Sequence, residues 1–212
     1  MTSFILGPMW RFSVLVFCIG VVWRIAIILL RRFPRDRAAA RGPGLPGGIG
    51  AIFRRSWPKN GLSRDNVLPI VAGYAFHIGL IALLFFAAPH VKFLDLYLPG
   101  PAWPALPRWG FVVAAQLAFA GLLLLWLRRF MHPVTRLLST LDDHAAAGLT
   151  FFAMFTGCLA LFESFLGLRV LHVFAVELLL LYFPFSNLMH AFTIFISRGT
   201  TGARAARHGI SA

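Results

Sequence analysis

Acidic side chains are scarce in this chain of 212 residues: 7 Asp and Glu stand against 20 Lys and Arg, and charged residues of all kinds make up only 13%. A soluble domain of this length needs a charged surface. The shortage, together with 59% hydrophobic residues and a mean hydropathy of +0.79, therefore excludes that class and indicates a polytopic α-helical membrane protein. Cysteine is scarcer still. Cys18 and Cys158 each stand alone within an apolar stretch, so there is no C-x-x-C pair, no c-type haem attachment motif and no iron–sulfur ligand pattern; both read as packing residues. The net charge of +13 does not indicate nucleic acid, because the basic residues sit in loops beside apolar spans, where topology explains them.

Apolar windows predict five spans, near Pro8–Leu30, Leu68–Ala88, Arg108–Leu127, His144–Phe165 and Leu168–Ile196. The first is too long for a signal-peptide core and lacks a cleavage site, so it reads as a retained helix. Short connections after the second and fourth spans make their neighbours antiparallel. Arg31, Arg32, Arg35, Arg37, Arg41, Arg54, Arg55, Lys59 and Arg64 crowd the first connection. Arg128, Arg129 and Arg136 follow the third span, and Arg198, Arg204 and Arg207 follow the fifth. The other two loops offer only Lys92, Arg108 and Arg169, against Asp95 and Glu163. The positive-inside rule puts the N-terminus outside and the C-terminus in the cytoplasm. The expected fold is thus an all-α integral membrane protein, one five-helix bundle over residues 1–212, in a bacterial or archaeal cytoplasmic membrane. A basic cytoplasmic loop over about 31–66 and a flexible tail over about 199–212 complete it.

Histidines within the spans carry the chemistry. His172 and His190 are 18 residues apart in the fifth predicted helix. At about 100° and 1.5 Å per residue they share a face, about 27 Å apart, nearly the thickness of a bilayer core. Histidines stacked toward opposite surfaces suit two b-type haems; a lone intramembrane histidine is otherwise a hydrogen-bonding core residue. The predicted topology places His77 and His190 toward the cytoplasm, two axial ligands from two helices, and His172 toward the outside. His132, His144 and His208 fall in loop or tail positions and are left out of the ligand set.

The stretch Arg41–Gly50, rich in Gly and Pro, lacks the Gly-Lys-Ser/Thr ending of a phosphate loop and follows no strand. It reads as an irregular cytoplasmic loop whose arginines face anionic lipid or dock a partner. Pro99–Pro107, with Trp103 and Trp109, reads as an outer segment at headgroup level or as the roof of a quinone pocket. Glu177, inside the fifth span, either accepts a proton at a quinol site or hydrogen-bonds to a neighbouring helix. Arg24 either meets a haem propionate or snorkels to the inner surface.

Phe183-Pro184-Phe185-Ser186-Asn187-Leu188-Met189-His190, with His172 upstream, and Phe76-His77-Ile78-Gly79 resemble motifs of the gamma, or cytochrome b membrane, subunit of respiratory nitrate reductase and its relatives in sulfur-metabolising complexes. Phe17-x-Ile19-Gly20 with Arg24, and Arg128-Arg129 with Pro133 and Arg136, are weaker echoes. The resemblance implies haem b, one or two per chain. His77 and His190 resemble the axial pair of the haem nearer the cytoplasm, and His172 resembles one ligand of the outer haem. The usual partner of His172 falls here on Ala87, with His90 as the nearest substitute. The resemblance also implies electron exchange between quinol and a cytoplasmic iron–sulfur or catalytic subunit. The alternative is a cofactor-free anchor or assembly subunit; a transporter is disfavoured, because no predicted span looks broken or repeated.

Overall fold

The computed structural model describes residues 2–31, 39–57, 62, 66–98, 100, 103–161 and 165–210. Arg32, Arg35, Arg37, Lys59, Arg64, Pro99 and Glu163 lie outside them. The described residues are helical with no strand: α1 (Trp10–Leu30), α2 (Gly44–Arg54), α3 (Val67–Phe86), α4 (Ala88–Tyr97), α5 (Arg108–Met131), α6 (Pro133–Leu138), α7 (Leu141–Ala160), α8 (Leu166–Tyr182) and α9 (His190–Arg207). A helical lead-in, Thr2–Phe4 and then a π-helix over Ile5–Met9 around Pro8, precedes α1. Among the described residues, four helices are long and apolar enough to cross a membrane: Thr2–Leu30, Val67–Phe86, Arg108–Met131 and Leu166–Phe185. Helix α7 occupies the place of the expected fourth span without being among them.

Contacts divide the chain into two compact units, Met1–Leu62 with Phe155–Ala212, and Ser63–Met154. In the second unit α3 and α5 meet through small residues. A Cβ on Gly79 would stand 2.5 Å from the Ala114 carbonyl oxygen and 2.6 Å from the Ala118 nitrogen, and one on Gly121 would stand 2.5 Å from the Ala72 oxygen and the Phe76 nitrogen. Backbone therefore lies against backbone, as lipid-buried helices pack where small residues allow it. Leu83, Ala114, Ala118, Leu122 and Met154 form the core beside this contact.

Helix α3 stops at Phe86 because Pro89, without an N–H, orphans the Phe85 carbonyl. The Trp103 indole N–H donates to that oxygen at 2.8 Å, and the Leu106 N–H donates to Phe86 O at 2.8 Å. The tryptophan of the Pro-rich segment is thereby tied to a helix end. Farther on, the start of α7 is capped by Asp143, which accepts from the Thr140 N–H (2.9 Å) and hydroxyl (3.0 Å). Asp143 also pairs with Arg129 at 3.4 Å.

Three expectations are corrected in the first unit. The fifth span is not one helix. Pro184 ends α8, Ser186 is extended (φ −112°, ψ 174°), and α9 starts only at His190. His172 and His190 therefore lie on different helices, and the shared face and 27 Å rise do not follow. The Arg41–Gly50 stretch is not an irregular loop, since Gly44–Arg54 forms α2. Nor is the tail from residue 199 flexible coil. Helix α9 runs to Arg207 and closes with Gly209 at φ +74°, where the N–H groups of Gly209 and Ile210 donate to Ala206 and Ala205, a left-handed glycine cap.

Four glycines in eleven residues oppose α2 by about 1 kcal/mol each relative to Ala. Packing on α9 offsets this. A Cβ on Gly47 would lie 2.2 Å from Ala206 Cβ, and one on Gly202 would lie 2.2 Å from Ala51 Cβ. The Arg41 N–H donates to Arg207 O at 2.8 Å, and Arg198 donates to the Ser56 hydroxyl at 2.9 Å.

Candidate functional site

Among the described residues no group of three or more His, Cys, Asp or Glu could hold a metal ion. That bears on zinc and non-haem iron, which need such clusters, and not on a haem, which takes two axial side chains. The chemistry therefore rests on how each histidine is prepared.

His77 falls midway along α3, on an exposed face, and its Nδ1–H donates to Gly73 O at 2.7 Å. His190, exposed at the start of α9, donates from Nδ1 to Asn187 O at 2.8 Å. In α4, the half-buried His90 donates from Nδ1 to Leu83 O at 3.0 Å. A carbonyl can only accept, so in all three the proton sits on Nδ1, and the neutral ring carries its lone pair on Nε2. Ligating histidines are held in this way, with the second nitrogen donating to a carbonyl or carboxylate.

Two of the three histidines left out of the ligand set, His132 and His144, have the opposite arrangement. His132 Nδ1 accepts from the Thr135 N–H at 3.3 Å and caps α6. His144 Nδ1 accepts from the Trp126 indole N–H at 3.1 Å, with the Phe130 ring 4.8 Å away. A neutral ring that accepts at Nδ1 holds its proton on Nε2, so neither offers a lone pair at Nε2 in this arrangement.

His172 is the ambiguous case. It is half-buried on α8, with Nδ1 3.3 Å from the Thr156 hydroxyl of α7, which can donate or accept. A Cβ on Gly157 would come within 3.0 Å of His172 Cε1, so the ring rests where that residue has no side chain.

The Phe-Pro-Phe-Ser stretch is seated against α1. Gly20 leaves room for Pro184, whose Cβ would lie 2.5 Å from a Cβ there. Phe17 meets Phe183 edge-on at 5.3 Å, and Phe192 closes the aromatic group at 6.0 Å from Phe17 and 5.7 Å from Phe183. Arg24 is exposed four residues beyond Gly20.

At its other end the π-helix Ile5–Met9 packs on α8, so α1 and α8 run parallel. Ser13 lies seven residues before Gly20, and Glu177 lies seven before Pro184. Both are at 0% exposure, so two turns back from the Gly20–Pro184 contact the pair brings its two fully buried polar residues to one level. The Ser13 hydroxyl donates to Met9 O at 2.9 Å. Neither carboxylate oxygen of Glu177 has a hydrogen-bond partner among the described residues. The Ser13 level and the Nδ1 partners were missed by sequence reasoning; a seven-residue offset between two polar residues and two packing motifs was the one signal available.

No family model matches this chain, and no solved structure matches it. It is similar to a protein of Nitratidesulfovibrio vulgaris (strain Hildenborough), 31% identical over 215 residues that cover 95% of this chain and 92% of the other. Identity at that level across nearly the whole of both chains shows that this protein belongs to the same family as the Nitratidesulfovibrio protein.

Proposed function

We propose that this protein is a membrane cytochrome b subunit, exchanging electrons between the quinol pool and a cytoplasmic iron–sulfur or catalytic partner in a respiratory or sulfur-metabolism complex. One observation carries the reading: three of the four histidines singled out as ligands, His77, His90 and His190, donate from Nδ1 to a carbonyl and so carry the Nε2 lone pair, and the excluded His132 and His144 do not. His77 and His190 would hold the haem nearer the cytoplasm, with His172 and His90 as the ligands of a second. When bound, haem b supplies reversible one-electron iron chemistry with its potential set by bis-histidine ligation and burial. The chain's own part is to fix the His77, His90 and His190 rings through their Nδ1–H groups and to exclude water with the surrounding apolar side chains. Arg24 offers a positive charge to a propionate. Glu177, whose carboxyl is fully buried without a hydrogen-bond partner among the described residues, is assigned as the acceptor of a proton released when quinol is oxidised.

The reading includes five crossings, N-terminus outside, in a bacterial or archaeal cytoplasmic membrane. The α2–α9 contact supports the number by parity. Helix α2 follows one crossing, and α9 follows α3, α5, α7 and α8 as well. Two helices that pack at one surface need an even number of crossings between them, and the reading takes α7 as the fourth of these. Basic residues in both segments support the cytoplasmic side.

The test is the absorption spectrum of the purified protein after expression in haem-replete cells. The expected result is low-spin, bis-histidine haem b. His77→Ala and His190→Ala should each remove the same haem, whereas His132→Ala and His144→Ala should keep the full complement. His90→Ala and His172→Ala should each leave one haem if two are bound. A preparation with no haem would overturn the reading in favour of a cofactor-free anchor.

A further inference from the structure

We infer that α2 is an interfacial helix that lies in the membrane surface at which α1 ends, binds anionic phospholipid along its outward face, and is held there by α9. At eleven residues α2 spans about 16 Å, far short of a bilayer core, so it cannot cross. Its Gly44, Gly47, Gly48 and Ala51 side is committed to α9. Leu45, Ile49 and Phe53, spaced by four residues, therefore share the other side, and they are 75%, 52% and 74% exposed.

Helix α9 has the complementary pattern. Ser197, Thr201 and Arg204 fall on the side away from α2, and all three are exposed. The pair thus behaves as one amphipathic element, with its apolar side on α2 and its polar side on α9, the arrangement of a helix lying in a membrane surface.

Charge complementarity names the lipid. Residues 39–57 and 190–210 contain no Asp or Glu, yet hold Arg41, Arg54, Arg55, Arg198, Arg204 and Arg207. Arg54 and Arg55 are exposed at the end of the apolar stripe, where headgroup phosphates lie when the stripe is in the acyl boundary. Continuity with the membrane favours lipid over a protein partner, because α9 follows the Leu166–Phe185 span within a few residues and α2 follows the Thr2–Leu30 span. Burial of the stripe in lipid, added to the contact with α9, accounts for a helix at so glycine-rich a sequence. None of this depends on haem.

The full chain, with Cys18 and Cys158 replaced by Ala, would carry one spin label at Ile49→Cys or at Thr201→Cys in nanodiscs. At position 49 the label should be reached by oxygen, which dissolves in lipid, and protected several-fold from a water-soluble nickel chelate. Position 201 should show the reverse. Replacing phosphatidylglycerol by phosphatidylcholine, or Arg41, Arg54 and Arg55 by Gln, should raise nickel access at 49 several-fold. Equal nickel access at 49 and 201 would overturn the inference, as would protection at 49 from both reagents, which means a protein covers it. Protection at 49 that ignores lipid charge would overturn the anionic assignment.

Discussion

Two helix pairs in this chain are locked by the same device and differ in everything around it. In the second unit α3 and α5 touch through Ala72, Gly79, Ala114, Ala118 and Gly121; in the first, α2 and α9 touch through Gly44, Gly47, Gly48, Ala51, Gly202, Ala203 and Ala206. Small residues set the distance between helix backbones in both cases. The remaining faces set the solvent: α3 and α5 are long and apolar enough to cross a membrane, whereas α2 is too short and α9 ends in Arg204 and Arg207. A Gly/Ala stripe therefore specifies a contact and says nothing about depth, which depends on length and on the opposite face.

The sharpest break in that comparison is Gly79→Val in α3. Even a bare Cβ there would meet backbone atoms of Ala114 and Ala118 at 2.5–2.6 Å, and backbone cannot rotate aside as a side chain can. Overpacking of this kind costs about 1–3 kcal/mol and occasionally more; with two helices forced apart, the expected outcome is the top of that range. Loss of monodisperse protein, or a large drop in unfolding midpoint in detergent, would show it. Gly73→Ala on the same helix, where nothing lies within 4 Å of an added Cβ, should change the midpoint little. Equal effects from the two would mean that the α3–α5 contact does not set the distance.

A smaller effect is expected from Gly202→Ala in α9, because the pair it disturbs carries no spanning helix of its own. Its new Cβ would meet Ala51 Cβ at 2.2 Å. Separation of α2 from α9 should appear as faster hydrogen exchange over residues 44–54, with the spanning helices unchanged. Adding Ala51→Gly removes the colliding atom and should restore much of the protection, an interaction between contacting sites of about 0.5–3 kcal/mol. Simple additivity of the two changes would show that these helices are not interlocked at this point.

Legibility in the sequence divides along the same line. The apolar helices could be read because lipid burial writes itself as unbroken hydrophobicity, and the ends of the second and third came within four residues. The break at Pro184 could not, because Phe183–Ile196 stays apolar across it and the hydropathy signal does not record where Ser186 turns extended. Helix α2 was hidden by glycines that argue against a helix unless Ala203 and Ala206 are known to face them. At the candidate site the histidine positions were legible from residue type alone. Which ring nitrogen carries the proton was not, since that depends on carbonyls placed to accept a second hydrogen bond, such as Leu83 O, which takes both the Ala87 N–H and the His90 ring N–H.

The finest of these effects concerns His172, the one candidate ligand whose tautomer its neighbours leave open. If Thr156 accepts, the His172 proton sits on Nδ1 and Nε2 has the lone pair, as in His77 and His190; if Thr156 donates, the proton sits on Nε2 and the ring resembles His132. Thr156→Val keeps the shape and removes the hydroxyl from a site at 1% exposure. The expected stability cost is that of one hydrogen bond, about 0.5–1.5 kcal/mol, while the ring loses its contact with the Thr156 hydroxyl. Nitrogen-15 resonances of His172 in haem-free protein should move from one protonated Nδ1 to a mixture of both forms. Nε2 already protonated in the unmodified protein would remove His172 from the ligand set and place it with His132 and His144. Gly157→Ala, whose Cβ would press on His172 Cε1 at 3.0 Å, should displace the ring by a few tenths of an ångström and leave the tautomer alone. The two variants thus separate the role of the hydroxyl from that of the space it stands beside.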